Sequence, residues 1–163
     1  MSLEQEMHDL RVPSGSVAIV WLGQAGYLLK TPAGTIVMID PYLTDWAETQ
    51  WGLQRQIPAP IDPSEMQPDL LLISHWHEDL LDVPLVKQWA TAGATGIFAG
   101  PLTCSVRAPV WGWPVEQVVN IDRGERRTFG DIDVFATFAR HDTPSAPAPE
   151  AVGYLLDIDG LKI

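Results

Sequence analysis

Two histidines set two residues apart, His75 and His77, are the part of this sequence best equipped for chemistry. They lie in the run Leu70-Leu71-Leu72-Ile73-Ser74-His75-Trp76-His77-Glu78-Asp79-Leu80-Leu81-Asp82. Its four leading apolar residues predict a strand covered on both faces, running straight into a turn dense in imidazoles and carboxylates. In an extended segment His75 and His77 point the same way, and Asp79 continues the alternation. Two imidazoles and a carboxylate on one edge of a rigid strand suit a divalent cation, which takes nitrogen and oxygen ligands at short range. A lone histidine is more often structural. Here two of the chain's four histidines share a turn with an aspartate in phase, which points to a metal site or its remnant. Cys104, the only cysteine, reads as a small core residue and excludes an intramolecular disulfide. Gly23 and Gly26 are followed by neither a P-loop lysine nor a helix signal, so they read as a turn and not as a phosphate cradle.

The elements that must position these residues follow the hydrophobic pattern. Strands over 17–22, 27–30 and 35–40 form an antiparallel meander joined by glycine-bearing turns. Residues 44–67 carry tryptophans and prolines without periodicity and read as a long irregular connection, either shaping a pocket or packing on the domain edge. After the histidine turn, 84–92 reads as a helix with Asp82 as N-cap, Gly93 as stop, and Leu85, Val86 and Trp89 on its apolar face. A strand over 95–100 makes this a strand–helix–strand unit with a parallel neighbour for the 70–73 strand. A proline-led helix over 101–111 and strands over 117–122, 126–129, 131–139 and 151–158 complete the chain, the last entering a hairpin turn at Asp159-Gly160.

Composition sets the frame. At 163 residues, 46% apolar and 19% charged, the chain suits one globular domain over 17–163 behind a polar leader, 1–16. A net charge of −11 argues against a nucleic-acid partner or an anionic membrane surface. No apolar run approaches the roughly 20 residues of a membrane helix. The N-terminus lacks the basic-then-apolar pattern of a secretory signal, so the cytoplasm is the expected compartment.

The segment SHWHEDLLD (74–82) resembles the metal-binding signature of the metallo-β-lactamase-fold hydrolases, His-x-His-x-Asp-His after a buried strand. It matches at His75, His77 and Asp79, and departs where Leu80 replaces the last histidine. WLGQAGYLLKT (21–31), TIVMIDPYLTD (35–45), GPLTCSVRAPVWGWPVEQV (100–118) and GDIDVFATFARHD (130–142) are similar to the branch containing L-ascorbate-6-phosphate lactonase. The resemblance implies an α/β fold, a metallo-β-lactamase-like αβ/βα sandwich of which about one half is present. It implies a further metal ligand at His141, with Asp142 as its neighbouring alternative, and a supporting role for Asp40 beside the metal. It implies a zinc or manganese cofactor at one site in preference to two, since Leu80 removes a ligand of the second. The implied reaction is hydrolysis of a phosphorylated sugar-acid lactone or similar small ester. There the cation activates water and Asp79 completes the coordination or takes the proton. Two other readings stand beside it: a relative that keeps the fold as a binding or assembly module, and a phosphodiesterase of the same fold.

Members of this family continue past the strand at 151–158 into a second half with another sheet. The chain is therefore either a piece of a longer protein or a short one whose sheet has a bare apolar face, and the latter predicts self-association as a two-fold dimer.

Overall fold

The computed structural model describes residues 1–141 and 150–163. Its centre is the apolar run at 70–73, which forms the short buried strand β4 (Leu70–Leu72). β4 pairs in parallel with β3 (Ile36–Ile39) on one side and β5 (Ile97–Gly100) on the other. β1 (Ala18–Gly23) and β2 (Gly26–Lys30) extend this sheet as an antiparallel hairpin beyond β3. β6 (Val118–Asn120) extends it in parallel beyond β5, giving the order β1-β2-β3-β4-β5-β6.

One face of this sheet packs on helices. α1 (Leu3–Asp9) contributes Met7, and α3 (Val83–Thr91) contributes Leu85, Val86 and Trp89 to a core shared with Leu22, Leu28, Met38, Leu71 and Phe98. The polar leader is thus docked: Met7 is buried, and the Lys30 ammonium donates to the carbonyls of Met7 (2.7 Å) and His8 (2.8 Å). The other face carries a second antiparallel sheet, ordered β10-β9-β8-β7. Its strands are β7 (Arg126–Phe129), β8 (Ile132–Phe138), β9 (Val152–Ile158) and β10 (Leu161–Lys162). Alternate residues Ile132, Val134 and Ala136 of β8, with Val152, Leu156 and Ile158 of β9, meet Leu29, Val37, Leu70 and Leu72 in a second core.

This layering corrects the expectation of a bare inner face. The sheet that follows in sequence covers β3 to β5, while Ile19, Trp21 and Tyr27 of the edge hairpin are exposed. Three local expectations also change. The connection 44–67 contains α2 (Trp46–Trp51). The helix expected over 101–111 is broken near Pro109 into α4 (Leu102–Ser105) and a 3₁₀ turn, Ala108–Trp111, because proline cannot donate to the helical ladder. The strand expected over 117–122 is shorter, preceded by a 3₁₀ turn at Val115–Gln117. Among the described residues no helix is long and apolar enough to cross a membrane.

Asp82 ties the histidine turn to the helix layer. Its carboxylate accepts from Leu85 N–H (3.2 Å), capping α3 as expected. It also accepts from Leu43 N–H (3.0 Å), Thr44 N–H (2.9 Å) and the Thr44 hydroxyl (2.7 Å). Burial pushes the Asp82 carboxyl up, against the pull of these donors. Asp82→Ala leaves several buried donors without an acceptor and should cost about 3 kcal/mol or more in urea denaturation. Asp82→Asn, nearly isosteric, should also destabilise, because its amide would turn an N–H₂ toward donors. A parent-like midpoint for both variants would show that these contacts are dispensable.

Candidate metal centre

The site begins with β4's exit from the sheet. Ile73 N–H donates to the Ala99 carbonyl (2.9 Å), one step beyond the ladder. Ser74 N–H then donates to Asp40 Oδ1 (2.7 Å), and Asp40 N–H donates to the Leu72 carbonyl (3.0 Å). From the second sheet, the Tyr154 hydroxyl donates to the Ile73 carbonyl (2.7 Å) and Val152 N–H to the Ser74 carbonyl (3.1 Å). The backbone that launches His75 is therefore held from three neighbouring strands. The β1–β2 turn presses on it: a Cβ on Gly26 would lie 2.9 Å from the Asp40 carbonyl oxygen, so only glycine fits.

From this anchor His75 and His77 project together, as alternation requires. His141, just past β8 in the other sheet, meets them. His75 Nε2 stands 3.1 Å from His77 Nδ1, and His77 Nδ1 stands 3.0 Å from His141 Nε2. One donor nitrogen from each ring lies within 4.8 Å of the other two. The rings meet edge to face, with centroids 4.4–4.9 Å apart. His75 is buried, and burial, with His141 and His77 alongside, lowers its pKa to about 4, so it is neutral near pH 7. The Ser74 hydroxyl lies 2.9 Å from His75 Nδ1, on the side of the ring away from the cluster.

The donor set fits a divalent cation. Nitrogens bound tetrahedrally to zinc at about 2.0–2.1 Å stand about 3.3 Å apart, close to the two short separations seen. A cation would take one lone pair from each ring. The remaining ring nitrogens would then carry protons, and His75 Nδ1–H would donate a hydrogen bond to the Ser74 oxygen. His77 Nε2, the ring nitrogen away from the cluster, is buried with no hydrogen-bond partner among the described residues.

The other residues singled out from sequence are placed as follows. Asp40 is buried at φ +44°, a strained conformation for aspartate. Burial raises its carboxyl to about 7, Ser74 pulls it down, and the Asp79 charge pushes it further up. It supports the ligand turn through Ser74 N–H and not through an imidazole. Asp79 lies outside the cluster of three nitrogens. The alternation expected to align it ends at His77, because Leu80 N–H (3.0 Å) and Leu81 N–H (2.7 Å) both fold back onto the His77 carbonyl. Leu80 is a buried apolar residue. Asp142 lies outside the described residues. Cys104 is buried, with its thiol pushed up to about 12 by burial, and so is inert. His8, in the leader, is exposed. Ser74 and Tyr154 went unnoticed in the sequence. Their roles depend on a neighbour in the turn and a strand far along the chain, for which no local pattern exists.

Comparison with known proteins agrees with this architecture. Residues 18–163 match the family described as the beta-lactamase superfamily domain. A metal-dependent hydrolase from Polynucleobacter asymbioticus is 30% identical across 91% of this chain and 55% of its own length. A probable L-ascorbate-6-phosphate lactonase from Salmonella heidelberg is 29% identical, over 99% of this chain and 52% of its own. The chain thus spans about half the length of the curated relatives it matches. Among solved structures, a proposed metal-dependent hydrolase from Parabacteroides distasonis superposes with a TM-score of 0.63 at 18% identity, over 90% of this chain and 58% of that one. CmlA, a diiron beta-hydroxylase from Streptomyces venezuelae, gives 0.59 at 19% identity, over 90% and 28%. At such identities these two show the fold alone. The matched family, the two-sheet architecture and the histidine signature agree: the chain belongs to the beta-lactamase superfamily and has its metallo-β-lactamase fold.

Proposed function

We propose that His75, His77 and His141 hold one divalent cation, zinc or manganese, and that the centre hydrolyses a lactone or similar small ester of a phosphorylated sugar acid. The observation that carries this is the convergence of three imidazole nitrogens from two sheets, with His75 kept neutral by burial. A bound cation supplies Lewis acidity toward water and toward a carbonyl oxygen. The chain's own residues do the rest. The three imidazoles offer lone pairs, and Ser74 orients His75. Asp40 and Tyr154 fix the backbone between them. Asp79, close enough to raise the Asp40 carboxyl, is the proton acceptor in this reading. A single cation is favoured because Leu80 sits buried where the signature has a histidine. The choice of lactone is supported by the 29% identity to the Salmonella protein.

Protein purified without chelators should carry close to one equivalent of zinc or manganese by elemental analysis. His75→Ala, His77→Ala and His141→Ala should each lose it, with at least a hundredfold drop in lactone turnover. Saturating cation, at about 100 times its Kd, should stabilise the parent by roughly 2.7 kcal/mol. Full metal content in His141→Ala would refute the three-histidine centre. Turnover of phosphodiesters but not lactones would keep the centre and discard the substrate.

Stripped of cation, the cluster should reveal itself through pH. The folded-state pKa of His75 lies below its unfolded value, so the unfolded chain binds more protons as pH falls from 6.5 toward 4. Stability from this group is complete above pH 6.5 and is lost across that window. Thermal melts of metal-free parent should therefore fall relative to His75→Asn as pH drops from 6.5 to 4. Parallel curves for the two proteins would show that His75 is not buried as described.

A further inference from the structure

The net charge of −11 repels an anion, and the turns around the centre add Asp40, Glu78, Asp79 and Asp82. A phosphorylated substrate therefore needs a cationic group beside the histidines. Five of the chain's ten basic residues make contacts of their own. Lys30 is spent on the carbonyls of α1. Arg55 donates to the carbonyls of Tyr42, Leu22 and Ile57. Arg127 pairs with Glu125 and Arg123 with Asp122. Arg126 lies over Phe135, in the second sheet.

Arg107 lies beside the histidine turn. It is exposed, and among the described residues it forms no ion pair. Its guanidinium lies over the ring of Trp76, 5.7 Å from the centroid. Trp76 is the residue between the two neighbouring histidines, and its ring meets that of His77 edge to face at 4.7 Å. Arg107 is thus one indole away from the cluster. The segment that carries it leaves the carboxyl end of β5, beside β4, which is where ligands sit in open α/β sheets. A guanidinium stacked on an aromatic face keeps its N–H fork free, and that fork matches two phosphate oxygens.

We propose that Arg107, held on the Trp76 platform, binds the phosphate of the substrate. The inference rests on the hydrolase reading for the sugar acid that bears the phosphate, while the cation–anion pairing is tested by binding alone. Trp76 positions the guanidinium and Arg107 makes the contact.

Calorimetric titration of the cation-loaded protein with 6-phosphogluconate, and with gluconate as the phosphate-free control, tests this. The parent should prefer 6-phosphogluconate. Arg107→Ala should weaken that binding by about tenfold or more while leaving gluconate unchanged. Arg107→Lys, which keeps the charge without the fork, should retain part of the preference and serves as the readout if the alanine variant is poorly folded. Equal affinity of parent and both variants for 6-phosphogluconate overturns the proposal, as does a parent that fails to bind it or does not prefer it to gluconate. A parent that binds through Arg107 but opens no lactone removes the hydrolase reading and leaves this one intact.

Discussion

A buried strand that ends must find partners for its last peptide groups, since an unpaired amide or carbonyl in the interior costs about as much as a lost hydrogen bond. β4 meets this demand at Ile73 and Ser74. Its neighbour β5 takes one amide, Asp40 at the end of β3 takes the next, and Tyr154 and Val152 of the second sheet supply donors for the carbonyls. Everything else about the site depends on this termination. It stops the strand at one residue, sets the direction of His75, and uses both sheets to do so. It also accounts for two costly features. Asp40 holds a left-handed backbone and a buried carboxyl because its oxygen is the acceptor that Ser74 needs. Gly26 is confined to glycine because the hairpin turn closes directly over the Asp40 carbonyl.

The carboxylates of the two turns divide by burial and partners. Asp82 has four donors and serves the scaffold, joining the 43–44 turn to α3. Asp40 has Ser74 as its partner and a pKa lifted to about 7, so near neutrality it is balanced between charged and neutral forms. Asp79 is half-buried in the turn that follows His77, near enough for its charge to act on Asp40. Histidine in place of Leu80 would add a fourth imidazole to this turn. The apolar side chain there packs inward instead, leaving the nitrogen donors to the three rings that meet.

Much of this was legible in the sequence because it is local. The apolar run of β4, the alternation of His75 and His77, the Asp82 cap and the Gly93 stop are patterns spanning a few residues, and each formed as such a pattern must. Alternation failed at Asp79 because it presumes an extended chain, and two backbone hydrogen bonds to His77 curl the chain one residue earlier. The proline-led helix over 101–111 does not run its full length, because Pro109 has no N–H to continue the ladder. His141 could be named only through resemblance. Nothing near it in sequence says that β8 stacks on β4 so as to bring it to His77. For the same reason the cover on the central strands was missed: whether β7 to β10 continue the first sheet or fold over it is decided by long-range packing, not by any strand's own pattern.

The meeting of His141 with His75 and His77 is a statement about the sandwich as much as about the site. Two of the rings ride on a turn fixed to the first sheet and the third on the end of a strand in the second. His141 Nε2 comes within 3.0 Å of His77 Nδ1 only if the two sheets stack in one register, which the shared core of Val37, Leu70, Leu72, Val134, Ala136 and Val152 enforces. A cation held by all three rings would therefore cross-link the layers, and its binding free energy would add to the free energy of stacking them. The converse also holds. Any loss of complementarity in the shared core acts on the site without touching a ligand, because a shift of one layer by even an ångström separates the third imidazole from the other two. The Tyr154 hydroxyl and Val152 N–H, reaching from the second sheet to the carbonyls of Ile73 and Ser74, resist that shift within two residues of the first histidine.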